Sequence, residues 1–134
     1  MKVHLTHCCA QKNEDAHRNG TQLPPEEMYI EPDIQKFFAY CLANDFTFGV
    51  LSDLYGIWLS PEKKGWYEKS PDTVTESEKT EILRIFDQEL APFSEIIFFV
   101  RPETFHPFYD FVLTHSRHAH NIRRTTKLTE LGAR

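Results

Sequence analysis

Short, nearly continuous apolar runs alternate along this chain with stretches in which apolar side chains recur at helical spacing. Residues 46–51 and 96–100 are runs of the first kind, and residues 3–6 read as a short strand ahead of them. Each run is bounded by polar or turn residues, the pattern expected of a strand covered on both faces. Ile34, Phe37, Phe38, Cys41 and Leu42 stand at i, i+3, i+4, i+7 and i+8, which forms one stripe of a helix. Pro32 and Asp33 suit its first turn, and Asn44-Asp45 ends it. Thr75 followed by Glu78 is a capping box, and behind it Ile82, Leu83, Phe86 and Leu90 line one side of a second helix that Pro92 stops. Residues 102–115 read as mostly helical, with Phe108, Phe111 and Val112 facing inward and Pro107 at a first turn. A short last strand is expected within residues 121–128.

Two segments lack either rhythm. Residues 11–22 are polar and read as a loop, and residues 60–72 form a long loop that carries Trp66 and Tyr67. The order strand, helix, strand, helix, strand, helix predicts an α/β fold, a three-layer α/β/α sandwich around a mainly parallel sheet. At 134 residues, the chain is expected to form a single α/β domain over 1–134.

Charge changes this picture at one end. The overall balance is −5, but residues 115–134 hold Arg117, Arg123, Arg124, Lys127 and Arg134 against Glu130 alone, a surplus of +4 that leaves residues 1–114 at −9. Such a basic segment is able to meet nucleic-acid phosphates, or it is simply a solvated face. The cysteines are Cys8, Cys9 and Cys41, an odd count with one adjacent pair. That is no disulfide framework, and it favours a reducing, cytoplasmic setting. The first residues show no signal-peptide pattern, and the run 96–100 is far too short to span a bilayer, so no membrane partner is expected.

In open α/β sheets, ligands bind beyond the carboxyl ends of the strands. Here that rule selects His7, Cys8, Cys9 and Lys12 after the first strand. It selects Ser52, Asp53 and Tyr55 after the second, and Arg101, Glu103 and His106 after the third. A cation such as Lys12 beside Cys9 favours the thiolate, which is the nucleophile, and Lys12 can alternatively hold a phosphate. Ser52 and Asp53 can bind a ribose hydroxyl or serve as acceptor and base, although both are also ordinary turn residues. Trp66 can stack on a base or anchor its own loop. The seven histidines, among them His4, His115, His118 and His120, raise a metal site, but their spacing fits no zinc pattern. No phosphate loop or dinucleotide fingerprint occurs, so no cofactor is expected.

The stretches His7-Cys8-Cys9-Ala10-Gln11-Lys12, Pro25-Glu26-Glu27-Met28-Tyr29-Ile30-Glu31-Pro32 and Phe48-Gly49-Val50-Leu51-Ser52-Asp53-Leu54-Tyr55-Gly56 resemble a family of small uncharacterised domains from bacteria, archaea and phages. That family is distantly similar to the core domain of archaeosine synthase. The resemblance implies a fold like that of uracil-DNA glycosylases and a purine-like or deazapurine base, or nucleic acid, as ligand. It also implies roles for Cys9, Lys12 and Tyr29. The chain departs from the family pattern at Asp53-Leu54, where Ala-Lys is usual, and no Pro-Tyr follows Lys12.

Three readings follow. In the first, the domain binds or processes a nucleobase or nucleotide, with Cys9, Lys12 and Asp53 as the reactive groups. Tyr29, Ser52, Tyr55, Trp66, Arg101 and His106 then form the binding surface. In the second, it is a non-catalytic nucleic-acid-binding module that uses the basic segment. In the third, it is a metal-binding domain.

Overall fold

The structure is a computed structural model that describes residues 1–101 and 105–132. Five strands form one sheet in the order β3-β2-β1-β4-β5. They are β1 (Lys2–His7), β2 (Phe48–Ser52), β3 (Gly56–Leu59), β4 (Glu95–Phe99) and β5 (Ile122–Thr125). The pairs β1·β2, β1·β4 and β4·β5 are parallel, and β2·β3 is antiparallel. The helices are α1 (Glu14–Asn19), α2 (Pro25–Met28), α3 (Pro32–Ala43), α4 (Glu76–Glu89) and α5 (Pro107–His115).

The register sorts the side chains into two faces. Paired residues of parallel strands point the same way, so His4, Phe48 and Ile97 share one face, and Leu5, Gly49 and Phe98 share the other. On the first face α3 lays Phe37 against Phe99 at 5.6 Å and Phe38 against Phe48 at 5.7 Å. On the second face Tyr109 of α5 meets His7 at 5.0 Å, and α4 packs on β3 and α5. Helices on both faces explain why β2 and the last four residues of β4 are buried without alternation. The result is the expected three-layer α/β arrangement around a mostly parallel sheet, and the last strand falls inside the expected window.

Besides the four-residue α2, which the sequence reading did not give, two elements depart from it. The first is β3, an antiparallel edge strand made of residues that carried no strand signal. Gly56 sits at φ 81°, a left-handed conformation that turns the chain straight back along β2. The second is α1, inside the stretch read as a loop. Asn13 caps it by accepting from the Ala16 N–H at 3.1 Å, and Gly20 at φ 65° ends it. Only Ala16 of this helix is buried, so no apolar period marks it in the sequence. Glu103 and Arg134, both named above, lie outside the described residues.

Candidate functional site

The chain leaves β1 towards α3 on one face and leaves β4, its neighbour, towards α5 on the other. Where adjacent strands send their connections to opposite faces, a crevice opens at their carboxyl ends. A cavity of about 250 Å³ lies in this crevice. Its wall is built from His7 at the end of β1 and residues 8–10 after it, Asp53 after β2, residues 69–71 of the loop before α4, Arg101 after β4, and His106 and Tyr109 at α5.

Among the described residues three polar atoms of this wall are buried and have no hydrogen-bond partner, the acceptors Asp53 Oδ1 and His7 Nε2 and the donor Arg101 Nε. Asp53 and His7 are each 2% exposed. Burial pushes the Asp53 carboxyl up from its ordinary range, and interactions with the Cys8 thiol, the Tyr67 hydroxyl and the Lys12 and Lys69 charges offset part of that push. His7 places Nδ1 3.0 Å from the Cys8 carbonyl. A carbonyl only accepts, so Nδ1 carries the proton and Nε2 of the neutral ring is a free acceptor. Burial holds the ring in that neutral form by lowering its pKa.

Behind this wall lies a polar cluster sealed from solvent. Ser52 Oγ accepts the backbone N–H groups of Leu54 (3.1 Å) and Tyr55 (3.0 Å), which leaves its own proton for Tyr67 Oη at 3.0 Å. The Tyr29 and Tyr67 hydroxyls are 2.6 Å apart. Lys12, 5% exposed, holds Nζ 4.5 Å from the centre of the Tyr67 ring. Cys8 Sγ is 2.9 Å from the Tyr109 hydroxyl, and burial pushes that thiol up to about 12.

Four pairs involve cationic or imidazole side chains of this wall. Arg101 Nε is 3.3 Å from Glu31 and 3.9 Å from Asp33. Lys69 reaches Glu78 at 3.2 Å, and His106 Nε2 reaches Asp72 at 2.6 Å. The hydrogen bond from His106 draws the Asp72 carboxyl below its usual range.

Of the residues expected at the site, Cys9, Asp53, Arg101 and His106 line the cavity. Lys12, Tyr29 and Ser52 stand behind the wall, at 5%, 0% and 0% exposure. Tyr29 therefore offers no face for an incoming base. Tyr55 and Trp66 lie elsewhere. The Tyr55 hydroxyl donates to the Gly65 carbonyl at 2.9 Å, and Trp66 is stacked on His17 at 3.7 Å, so its ring is already covered. The expected activation of Cys9 is also corrected: burial outweighs the Lys12 charge and pushes the Cys9 thiol up. Sequence reading missed Lys69, Ser70 and Tyr109. The first two sit in a loop without periodicity, and Tyr109 reads as one more aromatic of a helix.

Among the described residues no group of three or more His, Cys, Asp or Glu side chains is arranged to hold a metal. His4 is bonded to the Leu131 carbonyl, His115 to that of Phe111 and His118 to that of Asp87. The basic segment is partly neutralised by its neighbours. Arg124 binds Asp110 at 2.7 Å, and Lys127 lies 4.0 Å from Glu130. Among the described residues no helix is long and apolar enough to cross a membrane. Comparison with protein-family models, with curated proteins and with solved structures finds no match to this chain.

Proposed function

We propose that the cavity between the ends of β1 and β4 binds a nucleobase-like ring that carries at least two N–H donors. One observation carries the reading: the buried, unpartnered acceptors Asp53 Oδ1 and His7 Nε2 in the wall of a single cavity. A buried acceptor without a partner costs about 1–3 kcal/mol, and a ligand N–H recovers that cost. A planar nitrogen heterocycle supplies two such donors at once. The volume of about 250 Å³ lies just under the range of roughly 300–1,000 Å³ typical of drug-sized pockets, and so suits a ligand of one or two rings. Asp53, with its carboxyl held towards the protonated form, is the group we assign to exchange a proton with a ring nitrogen. The likeness of the 7–12, 25–32 and 48–56 stretches to the small-domain family points to the same ligand class.

The test is thermal unfolding against a panel of purine and deazapurine bases, nucleosides and a mixed RNA pool, with Asp53→Asn alongside the wild type. A ligand present at about 100 times its dissociation constant adds roughly 2.7 kcal/mol. The expected result is a base that raises the wild-type midpoint and leaves Asp53→Asn unmoved. If no base acts and only RNA does, in a manner abolished by salt, the nucleobase reading falls and the nucleic-acid-module reading replaces it.

A further inference from the structure

We infer that the ligand is a nucleoside, and that a second cavity beyond Arg101 receives its sugar. The inference rests on the nucleobase reading and extends it.

The topology sets this second cavity at the same end of the sheet as the first. β5 runs parallel to β4, so Thr126, which follows β5, emerges at the same end as Arg101, which follows β4. The start of α3 reaches that end too, where Glu31 and Asp33 face Arg101. Asp33 and Lys36 are three residues apart on α3 and so share one side of it. A cavity of about 240 Å³ is lined by Asp33, Lys36, Phe99, Arg101, Thr126 and Leu128. Arg101 stands in the wall of both cavities. At about 250 and 240 Å³, each alone falls short of the roughly 300 Å³ at which drug-sized pockets begin, and the two together exceed it.

The lining of the second cavity suits hydroxyl groups. The Asp33 carboxylate accepts from them, Lys36 donates to them and Thr126 does either. These partners are open. Asp33 lies 3.9 Å from Arg101 Nε and keeps 55% of its side chain exposed. Among the described residues Lys36 and Thr126 have no side-chain hydrogen bond or ion pair. Phe99 and Leu128 offer carbon surface to the C–H groups of a sugar ring.

Arg101 supplies the join. Its Nε is 3.3 Å from Glu31 Oε2, and that oxygen already accepts the Ile34 N–H at 2.9 Å. The Arg101 Nε–H is buried and makes no hydrogen bond, so it is left to donate to a ligand. Purine N3 and pyrimidine O2 are acceptors, and both stand next to the glycosidic bond. A base held by Asp53 and His7 with its sugar past Arg101 presents that acceptor where the two cavities meet.

The experiment is equilibrium dialysis with labelled matched pairs: adenine and adenosine, guanine and guanosine, cytosine and cytidine. Each base keeps two N–H donors once it is glycosylated. In the pair that binds, the nucleoside is expected to bind at least tenfold more tightly than the free base, the worth of one or two net hydrogen bonds. Its 2′,3′-dideoxy form should fall to within about threefold of the base. The double variant Asp33→Asn with Thr126→Val should bring the nucleoside down to the same level and leave affinity for the free base unchanged. A nucleoside that binds no better than its base overturns the inference and leaves the nucleobase reading standing. So does a dideoxynucleoside that binds as tightly as the nucleoside, a result read on the unmodified protein whatever the variant does. Absence of binding by every pair overturns both.

Discussion

Gly49 gives the sharpest test of the architecture that carries Asp53. It pairs with Leu59 across the antiparallel β2·β3 ladder. A Cβ built on Gly49 would lie 2.5 Å from the Trp58 carbonyl oxygen and 2.9 Å from the Leu59 Cα. Ordinary contact begins near 3.4 Å, so Gly49→Ala demands that β3 lift away by about 0.9 Å (3.4 − 2.5). Both obstacles are backbone atoms, which no rotamer change relieves. Overpacking typically costs about 1–3 kcal/mol, and a rigid obstacle places this case in the upper half, at about 2–3 kcal/mol. For a domain of this size that is a fall of about 10 °C in Tm, or roughly 1 M in the urea midpoint. Trp58, fully buried in β3, reports the loosening directly through its fluorescence. Gly65→Ala is the control. Nothing lies within 4 Å of its added methyl, and the change should stay within about 0.5 kcal/mol. If Gly49→Ala proves as mild as Gly65→Ala, the close approach of β3 is wrong. The hairpin that holds Ser52 opposite Gly56 and leads into Asp53 then goes with it.

Other expectations concern the titrating groups. His4 and His7 are both lowered by burial, so the folded state resists their protonation while the unfolded chain accepts it near pH 6.5. Stability should be full above that pH and fall as the pH drops through it; His4→Gln should flatten the slope in urea titrations run between pH 7.5 and 5.5. Asp53 has the opposite sign, because a raised carboxyl stabilises the fold only below the pKa of the unfolded chain, and the contribution is lost as pH rises. Asp53→Asn should therefore raise the unfolding midpoint at neutral pH while binding is lost, and an unchanged or lower midpoint would count against an unpartnered buried carboxyl. The Cys9 thiol, raised by burial, should alkylate at pH 7 more slowly than a free cysteine peptide, and faster labelling would restore the activated-thiolate expectation.

Much of the fold was legible because burial on both faces leaves a local mark. The apolar runs that became β2 and β4, the short strand signal of β1, the stripe of α3 and the capping box of α4 are written in neighbouring residues. So is the rule that sends ligands to the carboxyl ends of parallel strands, which brought Cys9, Asp53, Arg101 and His106 to one cavity. The strand β3 was not legible, because four residues at a sheet edge, Gly-Ile-Trp-Leu, show no alternation and depend on the turn at Gly56. Lys12 and Tyr29 were read as surface chemistry. Only the packing of Tyr67 over Lys12 and against Tyr29 put both behind the wall.

What the sequence determined alone is the set of segments that must be buried and the end of the sheet where polar residues gather, since both follow from local periodicity and strand order. Which of those polar groups find partners was decided only by tertiary structure. Asp53 and His7 are left with free acceptors and Arg101 with an unpartnered Nε, although Glu31 lies 3.3 Å from it, while Lys69 is held by Glu78. Hydrogen-bond satisfaction depends on separations of a few tenths of an ångström between segments that only the crossover connections bring together, and no local pattern carries that information.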